Sequence, residues 1–504
     1  MKVFSTEQIR TADKLTIERQ GITSLSLMER AAKHAFERIL TRIPSKKSRV
    51  VVICGVGNNG GDGLVIGRYL LEEGYDAYIF ILEFSKDHSH DFTRNLERLK
   101  RLGVNPVTIA EGERPEFPLF TEFIIDAVFG SGLSRPPASW IREIFDLVNK
   151  HPAEVISIDV PSGLYLDRVP DFDDQVIRAD HCLSFQFPKL VFLLPGFGKY
   201  CLSWEIVPIG LDERYIEETE PLAFYVDKGY LKRVFHERDR FSHKGDQGHT
   251  LVVGGSYGKM GAIRMTGEAA LRSGSGLVSA YVPECGYLVL QIAIPEIMVF
   301  TDEDSKKITS IIPASAYSSV AIGPGMGTDE KTAVAFADFI RTLNKPIVID
   351  ADALNILATH PELLRELPAG SVLTPHPGEL KRLIGNWDDD LQKISKVKEF
   401  SKNYAVVVVV KGAHTMITDG KKLYFNSTGN PGMATGGSGD ILTGVIAGLI
   451  AQGYKGKQAA MLGVYLHGLA GDFAAERQGE EAMVATDIIA HLGEAFIDLL
   501  IDDY

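Results

Sequence analysis

A glycine-rich stretch that contains a single acid, Asn430 to Gly444, carries the strongest chemical signal in the sequence. It reads NPGMATGGSGDILTG. The apolar residues after Asp440 recur at close to helical spacing, so the stretch predicts a loop that runs into the N-terminus of a helix. The exposed N–H groups and the positive end of such a helix bind anions, and phosphate above all.

Asp440 lies where the glycines end and the predicted helix begins. A carboxylate beside a bound phosphate costs electrostatic energy, so its presence there needs a reason. A chemical reason exists if Asp440 accepts the proton of a hydroxyl group that attacks the phosphate. The alternative is that Asp440 only caps the helix, as aspartate often does.

A second glycine-rich turn follows the short apolar strand predicted at Arg49 to Ile53. It reads CGVGNNGGDG and matches the dinucleotide fingerprint G-x-G-x-x-G at Gly55, Gly57 and Gly60. Its paired asparagines and its acid, Asp62, suit a polar ligand or a cation better than a pyrophosphate. A plain tight turn from strand to helix is the alternative, because glycine marks turns in general.

Three further polar residues, Asp126, Asp159 and Ser162, follow predicted strands directly. Parallel sheets bind ligands at the carboxyl ends of their strands, so one crevice can collect these side chains together with Asn59. Each acid alone could be a helix cap or a turn residue. Their joint placement after several strands favours a functional site.

Strands and helices alternate along both halves of the chain, which predicts an α/β protein with mostly parallel sheets. An acidic stretch, Asp212 to Glu220, reads as the linker between two units. In the first unit, Ser5 to Leu40 is predicted as one long helical region. Its apolar stripe, within Leu27 to Leu40, could cover a sheet or contact a partner subunit.

The predicted strands of the second unit also run into polar or glycine-rich loops. They include GPGMG from Gly323, VIDADALN, LTPHPGEL and VKGAHT. His376 lies in a proline-flanked loop, where a histidine with a backbone partner is as good an interpretation as a ligand. Lys411 at a strand end could reach phosphate or could be an ordinary exposed lysine.

The composition describes a globular protein and excludes several classes of partner. The 504 residues allow about two to four domains, and the formal net charge of −13 argues against nucleic acid and against an anionic membrane surface. The four cysteines are scattered without a Cys-x-x-Cys pair, which indicates a reduced compartment. No apolar run approaches a membrane span, so a cytoplasmic location is expected.

The order of these motifs resembles a known family. GHTLVVGGSYGKMGA, GPGMG, VIDADALN, LTPHPGEL, VKGAHT and NPGMATGGSGDILTG resemble the blocks of the carbohydrate-kinase-like NAD(P)HX dehydratases, and CGVGNNGGDG, IIDAVFGSGLSR and SIDVPSG resemble the NAD(P)HX epimerases. Together the motifs cover nearly the whole chain, as in the bacterial fused family of NAD(P)H-hydrate repair enzymes. One departure is Pro431, where threonine is more usual, but Gly436 to Asp440 is intact.

The resemblance implies two domains and two reactions. Residues 1–211 would be the epimerase, with a Rossmann-like three-layer α/β/α fold, and residues 225–504 the dehydratase, with a ribokinase-like α/β fold. The first would interconvert the R and S hydrates of NADH and NADPH, and the second would dehydrate the S form at the expense of ADP. The implied partners are NADHX, NADPHX and ADP or ATP in a homo-oligomer, and the implied cofactors are a potassium ion in the first domain and magnesium with ADP in the second.

The same resemblance implies the residues of each site. The hydrate would be held by Asn58, Asn59, Gly60, Gly61, Asp62, Gly130, Ser131, Gly132, Leu133, Ser134, Arg135, Pro136 and Asp159 in the first domain, and by Gly325, His376 and Asp440 in the second. The nucleotide would be held by Lys411, Gly412, Ala413, His414, Thr415, Asn430, Pro431, Gly432, Met433, Ala434, Thr435, Gly436, Gly437, Ser438 and Gly439. The potassium ligands would be Asn59, Asp126 and Ser162.

Asp159 and Asp440 would be the catalytic residues. Asp159 would act as an acid or base on the hydrate. Asp440 would deprotonate the ring hydroxyl, which takes the terminal phosphoryl group of ADP, and the ring nitrogen would then expel phosphate, while the glycine loop stabilises the transferring group.

Three other interpretations stay open at the level of the sequence. A kinase for a vitamin-like alcohol would use the same loop and the same aspartate, but it would not need the first domain. The first domain could be a binding or oligomerisation module, although its retention of Asp126 and Asp159 speaks against that. An NAD-linked oxidoreductase would rest on the glycines of CGVGNNGGDG alone.

Overall fold

The computed structural model describes residues 1–166, 168 and 176–501 of the chain. It divides into two compact units, Met1–Ala223 and Phe224–Tyr504. The acidic stretch interpreted as a linker lies in the first unit, where Asp212 caps a short helix by accepting a hydrogen bond from the N–H of Tyr215. The ring of Tyr215 packs 6.2 Å from that of Phe4, so this stretch is folded against the unit.

The first unit alternates strands and helices over most of its length. Its strands are β1 (Lys2–Val3), β2 (Arg49–Cys54), β3 (Asp76–Leu82), β4 (Val107–Ile109), β5 (Thr121–Ala127), β6 (Glu154–Ile158), β7 (Ala179–Phe185) and β8 (Cys201–Val207). Its helices are α1 (Thr6–Gln20), α2 (Ser24–Arg42), α3 (Asn58–Glu72), α4 (His90–Arg101), α5 (Ser139–Lys150), α6 (Pro195–Gly198) and α7 (Glu213–Glu218).

The sheet of this unit runs in the order β4-β3-β2-β5-β6-β7-β8, and all its pairings are parallel. β2 is the first of these strands in the chain and pairs with β3 on one side and β5 on the other. The strand order therefore reverses at β2, which is where a doubly wound sheet opens a crevice for a ligand. The prediction of a parallel α/β unit is confirmed.

The predicted long helix at Ser5 to Leu40 is instead two helices. α1 ends at Gly21, whose φ of 63° is a left-handed conformation that glycine adopts without strain. The apolar face of α2 is buried, and most of its side chains share a core with strand residues of β2 and β5. The apolar face of Leu27 to Leu40 thus covers the sheet of its own unit, which was one of the two predicted alternatives, and a contact of this helix with a partner subunit stays a prediction.

The second unit is also α/β. Its strands are β9 (Ala223–Val226), β10 (His249–Val253), β11 (Leu277–Val282), β12 (Met298–Thr301), β13 (Ser319–Ile322), β14 (Val348–Ile349), β15 (Val372–Leu373), β16 (Val407–Val410), β17 (Met416–Thr418) and β18 (Leu423–Asn426). Its helices are α8 (Lys228–Lys232), α9 (Met260–Arg272), α10 (Tyr287–Ala293), α11 (Glu330–Arg341), α12 (Ala351–Thr359), α13 (Pro377–Ile384), α14 (Asp390–Tyr404), α15 (Ser438–Ala451), α16 (Gly456–Gln478) and α17 (Ala485–Leu500).

Its sheet is parallel from β12 through β11, β10, β13, β14 and β15 to β16. β17 and β18 then continue it as an antiparallel hairpin. The parallel strands are short and buried, as the all-valine run of β16 illustrates. The loops that carry the polar and glycine-rich motifs of this unit therefore leave the sheet at one edge, the carboxyl edge.

The helix that begins at the glycine loop, α15, is central to this unit. It is almost entirely buried and shares one core with side chains of α16 and α17. Burial on all sides fixes the helix axis, so the N-terminus that faces the carboxyl edge is held in place. In the ranges that the structure describes, none of the helices combines the length and apolar character needed to cross a membrane.

Candidate active sites

The first candidate site begins at the turn between β2 and α3. α3 starts at Asn58 with Gly57 at its N-cap, a position that offers no side chain to the free N–H groups. A Cβ on Gly60 would lie 1.8 Å from the carbonyl oxygen of Gly55, so the turn requires glycine there. The helix end is consequently open to a ligand.

Asn59 lies in the first turn of α3 and is 8% exposed. Its Nδ2 is buried without a hydrogen-bond partner, and its amide packs against Gly130 on the loop after β5. A buried amide without a partner is costly, which indicates that a ligand completes this position. Asp62 is buried one turn further on, and burial, with Asp159 and Asp13 nearby, raises its pKa well above the usual value.

Asp126 lies near the end of β5, is fully buried and is surrounded by hydrogen-bond donors. Its Oδ2 accepts hydrogen bonds from the Ser157 hydroxyl at 2.7 Å and the Ser162 N–H at 2.8 Å, and its Oδ1 accepts from the Ser162 hydroxyl at 2.5 Å. Burial raises the pKa of Asp126, while these hydrogen bonds oppose the rise. The structure thus brings Asp126 and Ser162 into direct contact.

Asp159 follows β6 and points to the same edge. Its Oδ2 accepts a hydrogen bond from the Ser131 N–H at 3.0 Å, and its Oδ1 lies 3.0 Å from Nζ of Lys189. Burial alone would raise the pKa of Asp159, but the Lys189 ammonium and the Ser131 hydrogen bond outweigh it and hold the pKa below the usual value. Asp159 is therefore an ionised carboxylate beside a buried cation.

Only the first part of the predicted loop Gly130 to Pro136 contacts this cluster. Ser131 contacts Asp159, whereas Ser134, Arg135 and Pro136 are exposed on the same loop. Gly132 accepts a long hydrogen bond of 3.5 Å from Arg10, and Leu133 donates to the Gly130 carbonyl. The loop is therefore anchored at its first residues and open at its end.

Two residues of this cluster have no signal in the sequence. Lys189 is 1% exposed, and its Nζ also donates to the carbonyl oxygens of Phe185 and Phe187. Asp13 on α1 has its pKa raised to about 6, mainly by burial and then by the charge of Asp159, while Lys189 opposes the rise. A lysine beside proline and an acid on a surface helix are ordinarily exposed to solvent. Only the three-dimensional structure therefore shows that these two side chains belong to the cluster around Asp159.

In the second unit, Asp440 is the third residue of α15, and the helix N-cap is Gly437 with a φ of 101°. Gly437 makes no side-chain capping bond, and a Cβ there would lie 2.4 Å from Cε of Met265. Among the described residues we find no hydrogen bond to the Asp440 carboxylate. The interpretation of Asp440 as a mere cap is therefore wrong.

The pKa of Asp440 is raised to about 7. Burial is the largest cause, followed by the nearby charge of Asp350, while Lys411 lowers the value and Asp352 raises it. A carboxylate with a pKa near 7 is half deprotonated at neutral pH and binds a proton well once it accepts one. That is the property of a general base.

Lys411, at the end of β16, connects this acid to a buried ion-pair network. Its Nζ donates to Asp350 Oδ1 at 2.8 Å and lies 3.9 Å from Glu379 Oε2. Asp350 is 1% exposed and accepts a second hydrogen bond from the Thr443 hydroxyl at 2.8 Å. A Cβ on Gly439 would lie 3.1 Å from the Lys411 Nζ, so the ammonium lies directly beneath the glycine loop.

His376 has a structural role that accounts for its position. It is the N-cap of α13, where its Nδ1 accepts the N–H of Gly378 at 3.0 Å and Glu379 accepts the N–H of His376 at 2.8 Å. Its side chain is 51% exposed at the same edge as Lys411. The interpretation of His376 as a loop histidine with a backbone partner is thus supported, and a contact with substrate stays a prediction.

The GPGMG loop after β13 is tied to its neighbours through Gly325, whose φ is 63°. The Ser256 hydroxyl of the GGSYG loop donates to the Gly325 carbonyl at 2.8 Å, and Gly327 N–H donates to Asp352 Oδ2 at 2.9 Å. A Cβ on Gly325 would lie 2.8 Å from the Lys259 carbonyl oxygen. Three loops therefore meet at this point of the carboxyl edge.

The predicted nucleotide residues lie on two loops, one between β16 and β17 and one before α15. In the first, the Thr415 hydroxyl donates to the Gly412 carbonyl at 3.0 Å, and His414 Nδ1 lies 3.1 Å from the Asn426 carbonyl. In the second, Asn430 accepts from the Gly432 N–H and donates to Asp472 at 3.0 Å. Residues Pro431–Met433 form a single 3₁₀ turn.

The rest of the second loop is open. A Cβ on Gly436 would meet only open space, and Ala434, Thr435 and Gly436 leave room over the start of α15. His467 on α16 fixes the backbone of Ser438, because its Nε2 lies 3.0 Å from the Ser438 carbonyl oxygen. Burial lowers the pKa of His467 to about 4, so its ring is neutral and its Nε2–H donates to that carbonyl.

Within the described ranges, the structure contains no cluster of three histidine, cysteine or acidic side chains placed to bind a metal. A potassium ion does not need such a cluster, because it accepts neutral oxygen ligands. The Asn59 amide fits one through its Oδ1, which faces Gly130, while Nδ2 is the atom left without a partner, and a nearby cation would offset the raised pKa of Asp126. The Asp126 oxygens already accept hydrogen bonds, so an ion would replace one of these donors.

Comparison with protein families gives two adjacent matches. Residues 24–191 match the family described as YjeF-related protein N-terminus, and residues 250–493 match the family described as NAD(P)H-hydrate dehydratase. The two matches fall in the first and the second unit, respectively.

Curated relatives align along nearly the whole chain. A bifunctional NAD(P)H-hydrate repair enzyme of Moorella thermoacetica is 34% identical over 98% of this chain and 96% of the relative. The enzyme of the same description from Escherichia coli K12 is 33% identical over 97% of this chain and 93% of the relative.

Among solved structures, an ADP/ATP-dependent NAD(P)H-hydrate dehydratase from Bacillus subtilis is similar at 28% identity. The alignment covers 55% of this chain and 99% of the Bacillus subtilis chain, with a TM-score of 0.48.

Proposed function

This chain belongs to the family of bifunctional NAD(P)H-hydrate repair enzymes, and from that premise we propose that the two carboxyl edges described above are its two catalytic sites. The enzyme interconverts the R and S hydrates of NADH and NADPH and dehydrates the hydrate to the reduced coenzyme. The proposal assigns epimerisation to the cluster around Asp159 and dehydration to the cluster around Asp440.

Epimerisation requires the hydroxyl group to leave the ring carbon and water to return on the opposite face. The ring nitrogen lone pair expels the hydroxyl, which takes a proton from the Lys189 ammonium and departs as water. Water then adds to the planar cation from the other side and gives a proton to the Asp159 carboxylate. Because Asp159 and Lys189 are 3.0 Å apart, that proton returns directly to the lysine and restores the pair.

A bound potassium ion would supply positive charge beside this cluster, held by Asn59, Asp126 and Ser162. The Asn59 amide oxygen beside Gly130 and the raised pKa of Asp126 support this part of the proposal. The open end of α3 and the Asn58 to Asp62 turn would bind the pyrophosphate of the hydrate. This reverses the preference for a polar ligand or a cation that the sequence suggested, because the N-cap Gly57 leaves the first N–H groups of the helix without a side-chain partner. Ser131 would hold the Asp159 carboxylate toward the ring.

Dehydration begins at Asp440. Its carboxylate takes the proton of the ring hydroxyl, and the hydroxyl oxygen attacks the terminal phosphorus of ADP. The bond from that phosphorus to the bridging oxygen breaks and AMP leaves. The ring nitrogen then expels phosphate, and the adjacent carbon loses a proton to solvent, which restores the double bond of NADH or NADPH.

One observation carries this assignment. Asp440 occupies the first turn of α15 without capping it, and its pKa of about 7 matches the task of a general base at neutral pH. The N–H groups of Gly436 to Gly439 would stabilise charge on the transferring phosphoryl group. Lys411, held by Asp350 beneath the loop, would add a fixed positive charge.

Magnesium would come with the nucleotide. Since the described side chains form no three-ligand metal cluster, the ion would be bound mainly by phosphate oxygens and water, as magnesium commonly is. It would neutralise the phosphate charge that Asp440 and Asp350 otherwise oppose.

The experiment that tests the function uses chemically hydrated NADH with ADP or ATP, followed by the recovery of NADH absorbance. We expect recovery to require nucleotide and to be faster with ADP, with AMP and phosphate as products. Faster recovery with ATP at matched concentrations would contradict the choice of donor. Recovery without any nucleotide at the same rate would contradict the dehydration mechanism.

We also propose a homo-oligomer. Its contact must lie outside the apolar face of α2, because that face is buried within the first unit. Light scattering coupled to size exclusion measures the mass directly, and the mass of a single 55.3 kDa chain would contradict the proposal.

A further inference from the structure

A glutamate–histidine pair, Glu83 and His88, lies at the carboxyl edge of the first unit and takes no part in the reaction described above. Glu83 is the first residue after β3, and its Oε1 lies 2.6 Å from Nε2 of His88. The side chains are 32% and 25% exposed, respectively. Both can therefore be reached by a ligand at this edge.

The loop that carries this pair borders the glycine turn. The N–H of Ser89 donates to the carbonyl of Val56 at 3.0 Å. Phe84 packs against Phe129, with ring centroids 5.0 Å apart, and its ring also lies next to Gly55. Glu83 is thus fixed beside the turn that begins α3.

The order of the strands gives the direction in which a dinucleotide must lie. Asp159 follows β6, the glycine turn follows β2 and Glu83 follows β3, while the sheet runs β3-β2-β5-β6. Strands are about 4.8 Å apart, so Glu83 and Asp159 are separated by about 14 Å along the edge. A hydrate whose ring is at Asp159 and whose pyrophosphate is at α3 therefore places its adenosine ribose over β3.

An independent observation indicates that a ligand occupies the middle of this path. Asn59, in the first turn of α3, is 8% exposed, and its Nδ2 has no partner. The N-cap, Gly57, offers no side chain either. The helix end therefore lacks the partners that a buried terminus needs, and a pyrophosphate would supply them.

We propose that Glu83 recognises the adenosine ribose and makes the first unit prefer NADHX over NADPHX. An acid at the end of the second strand of a dinucleotide fold, about 20 residues after the glycine turn, accepts hydrogen bonds from the ribose 2′-hydroxyl. Glu83 follows Gly60 by 23 residues. A 2′-phosphate at the same place would meet like charge, which disfavours NADPHX.

His88 limits the strength of this preference. Its ring packs against Phe92 at 5.2 Å and its Nε2 holds one oxygen of Glu83, which leaves the other oxygen for the ribose. The hydrogen-bond contact with His88 engages one carboxylate oxygen, so the pair repels a 2′-phosphate less than a lone glutamate would. NADPHX is therefore a slower substrate rather than an excluded one.

The test measures epimerisation of pure R-NADHX and R-NADPHX by the full-length enzyme without nucleotide, so that dehydration does not consume the product. Chiral chromatography gives kcat/KM for each hydrate. Glu83→Gln should lower kcat/KM for NADHX about tenfold, through KM, and leave NADPHX unchanged or improved. Glu83→Arg should reverse the preference, because a guanidinium binds phosphate bidentately.

Two controls complete the design. Glu97→Gln removes an exposed glutamate on α4 whose ion pairs, within the described ranges, are with the surface residues Arg94 and Arg101, and it should not change kcat/KM for either hydrate. ADP-ribose and its 2′-phosphate, used as unreactive inhibitors, should show the same order of affinity as the hydrates in wild type and the same change in Glu83→Gln.

The inference rests on the proposed position of the ring at Asp159, and its failure can be told apart from failure of that assignment. Equal changes for the two hydrates in Glu83→Gln, or a wild-type preference for NADPHX, would overturn the role of Glu83. Full epimerisation activity in Asp159→Asn would overturn the site assignment itself.

Discussion

Nζ of Lys189 lies 3.0 Å from Oδ1 of Asp159 in a site where the two side chains are 1% and 10% exposed. Asp159 also has a φ of 66°, a left-handed conformation that is rare for a residue other than glycine. Backbone strain of this kind persists where the surroundings determine it, and it is common at functional sites. The buried ion pair and the unusual backbone together hold one carboxylate at the carboxyl edge.

We expect Asp159→Asn to slow R/S interconversion by about two to four orders of magnitude while dehydration of the S hydrate continues. A racemic hydrate would then be repaired rapidly for its S fraction and slowly for the rest. Chiral chromatography alongside NADH absorbance separates the two phases. Loss of both activities in a folded variant would contradict independent sites.

Folding of that variant needs its own control, because Asn leaves the buried Lys189 ammonium without its counter-charge. Removing one member of a buried pair costs about 3–5 kcal/mol. The double variant Asp159→Asn with Lys189→Met should regain much of that stability without regaining epimerisation. Thermal unfolding of the single and double variants measures the difference.

The positions of Asn59, Asp126, Asp159 and Ser162 could be predicted because each follows a strand. In a parallel sheet, strand ends meet at one edge whatever the details of packing. In the second unit, the loops after its parallel strands meet at one edge for the same physical reason. The alternation of strands and helices, together with residue type, sufficed for this part of the site.

Lys189, Asp13 and Asp350 show what sequence patterns could not supply. Their burial depends on tertiary contacts, and charged side chains are ordinarily exposed. The break of the first helix at Gly21 was missed because one glycine within a helical pattern is tolerated. The acidic stretch was interpreted as a linker because of its high charge. It in fact contains a capped helix, and Tyr215 and Ile216 pack against the core of the first unit.

Replacing potassium by tetramethylammonium at constant ionic strength should slow epimerisation. The physical reason is the Asn59 amide oxygen beside Gly130 and the buried Asp126 carboxylate, whose raised pKa a cation would offset. Asn59→Ala should reduce the response to potassium. An epimerisation rate that does not change with the cation would count against the ion site.

The rate of dehydration should depend on pH through Asp440. Its folded pKa of about 7 lies above the usual value, and only the deprotonated form accepts the hydroxyl proton. The rate at saturating ADP should therefore fall about tenfold per pH unit below pH 7 and level off above it. Stopped assays of AMP formation measure this directly, and a flat profile from pH 5 to 8 would contradict a titrating base.

Lys411→Met should move that profile to higher pH. Lys411 lowers the pKa of Asp440 and balances Asp350 and Glu379, so its removal leaves three acids without their shared cation. We expect a shift of about one pH unit or more, together with weaker binding of ADP. Lys421→Met, on an exposed turn, is the matched control, and an unshifted profile in Lys411→Met would argue against the coupling.

Asp440→Asn should abolish nucleotide-dependent dehydration and leave R/S interconversion near the wild-type rate. Asparagine is nearly isosteric with aspartate, and α15 is capped at Gly437 without the help of residue 440, so the helix should form normally. The amide cannot accept the hydroxyl proton, and loss of a general base costs about two to four orders of magnitude in rate.

Because the Asp440 carboxylate is partly buried among other acids, its neutralisation should also relieve repulsion with Asp350. The variant should consequently unfold at the same or a higher temperature than wild type, which distinguishes a chemical defect from a folding defect. AMP release, NADH recovery and chiral chromatography on the same sample give the three readouts. Near-normal dehydration by Asp440→Asn would remove Asp440 from the mechanism, and the base would then have to be sought elsewhere on this edge.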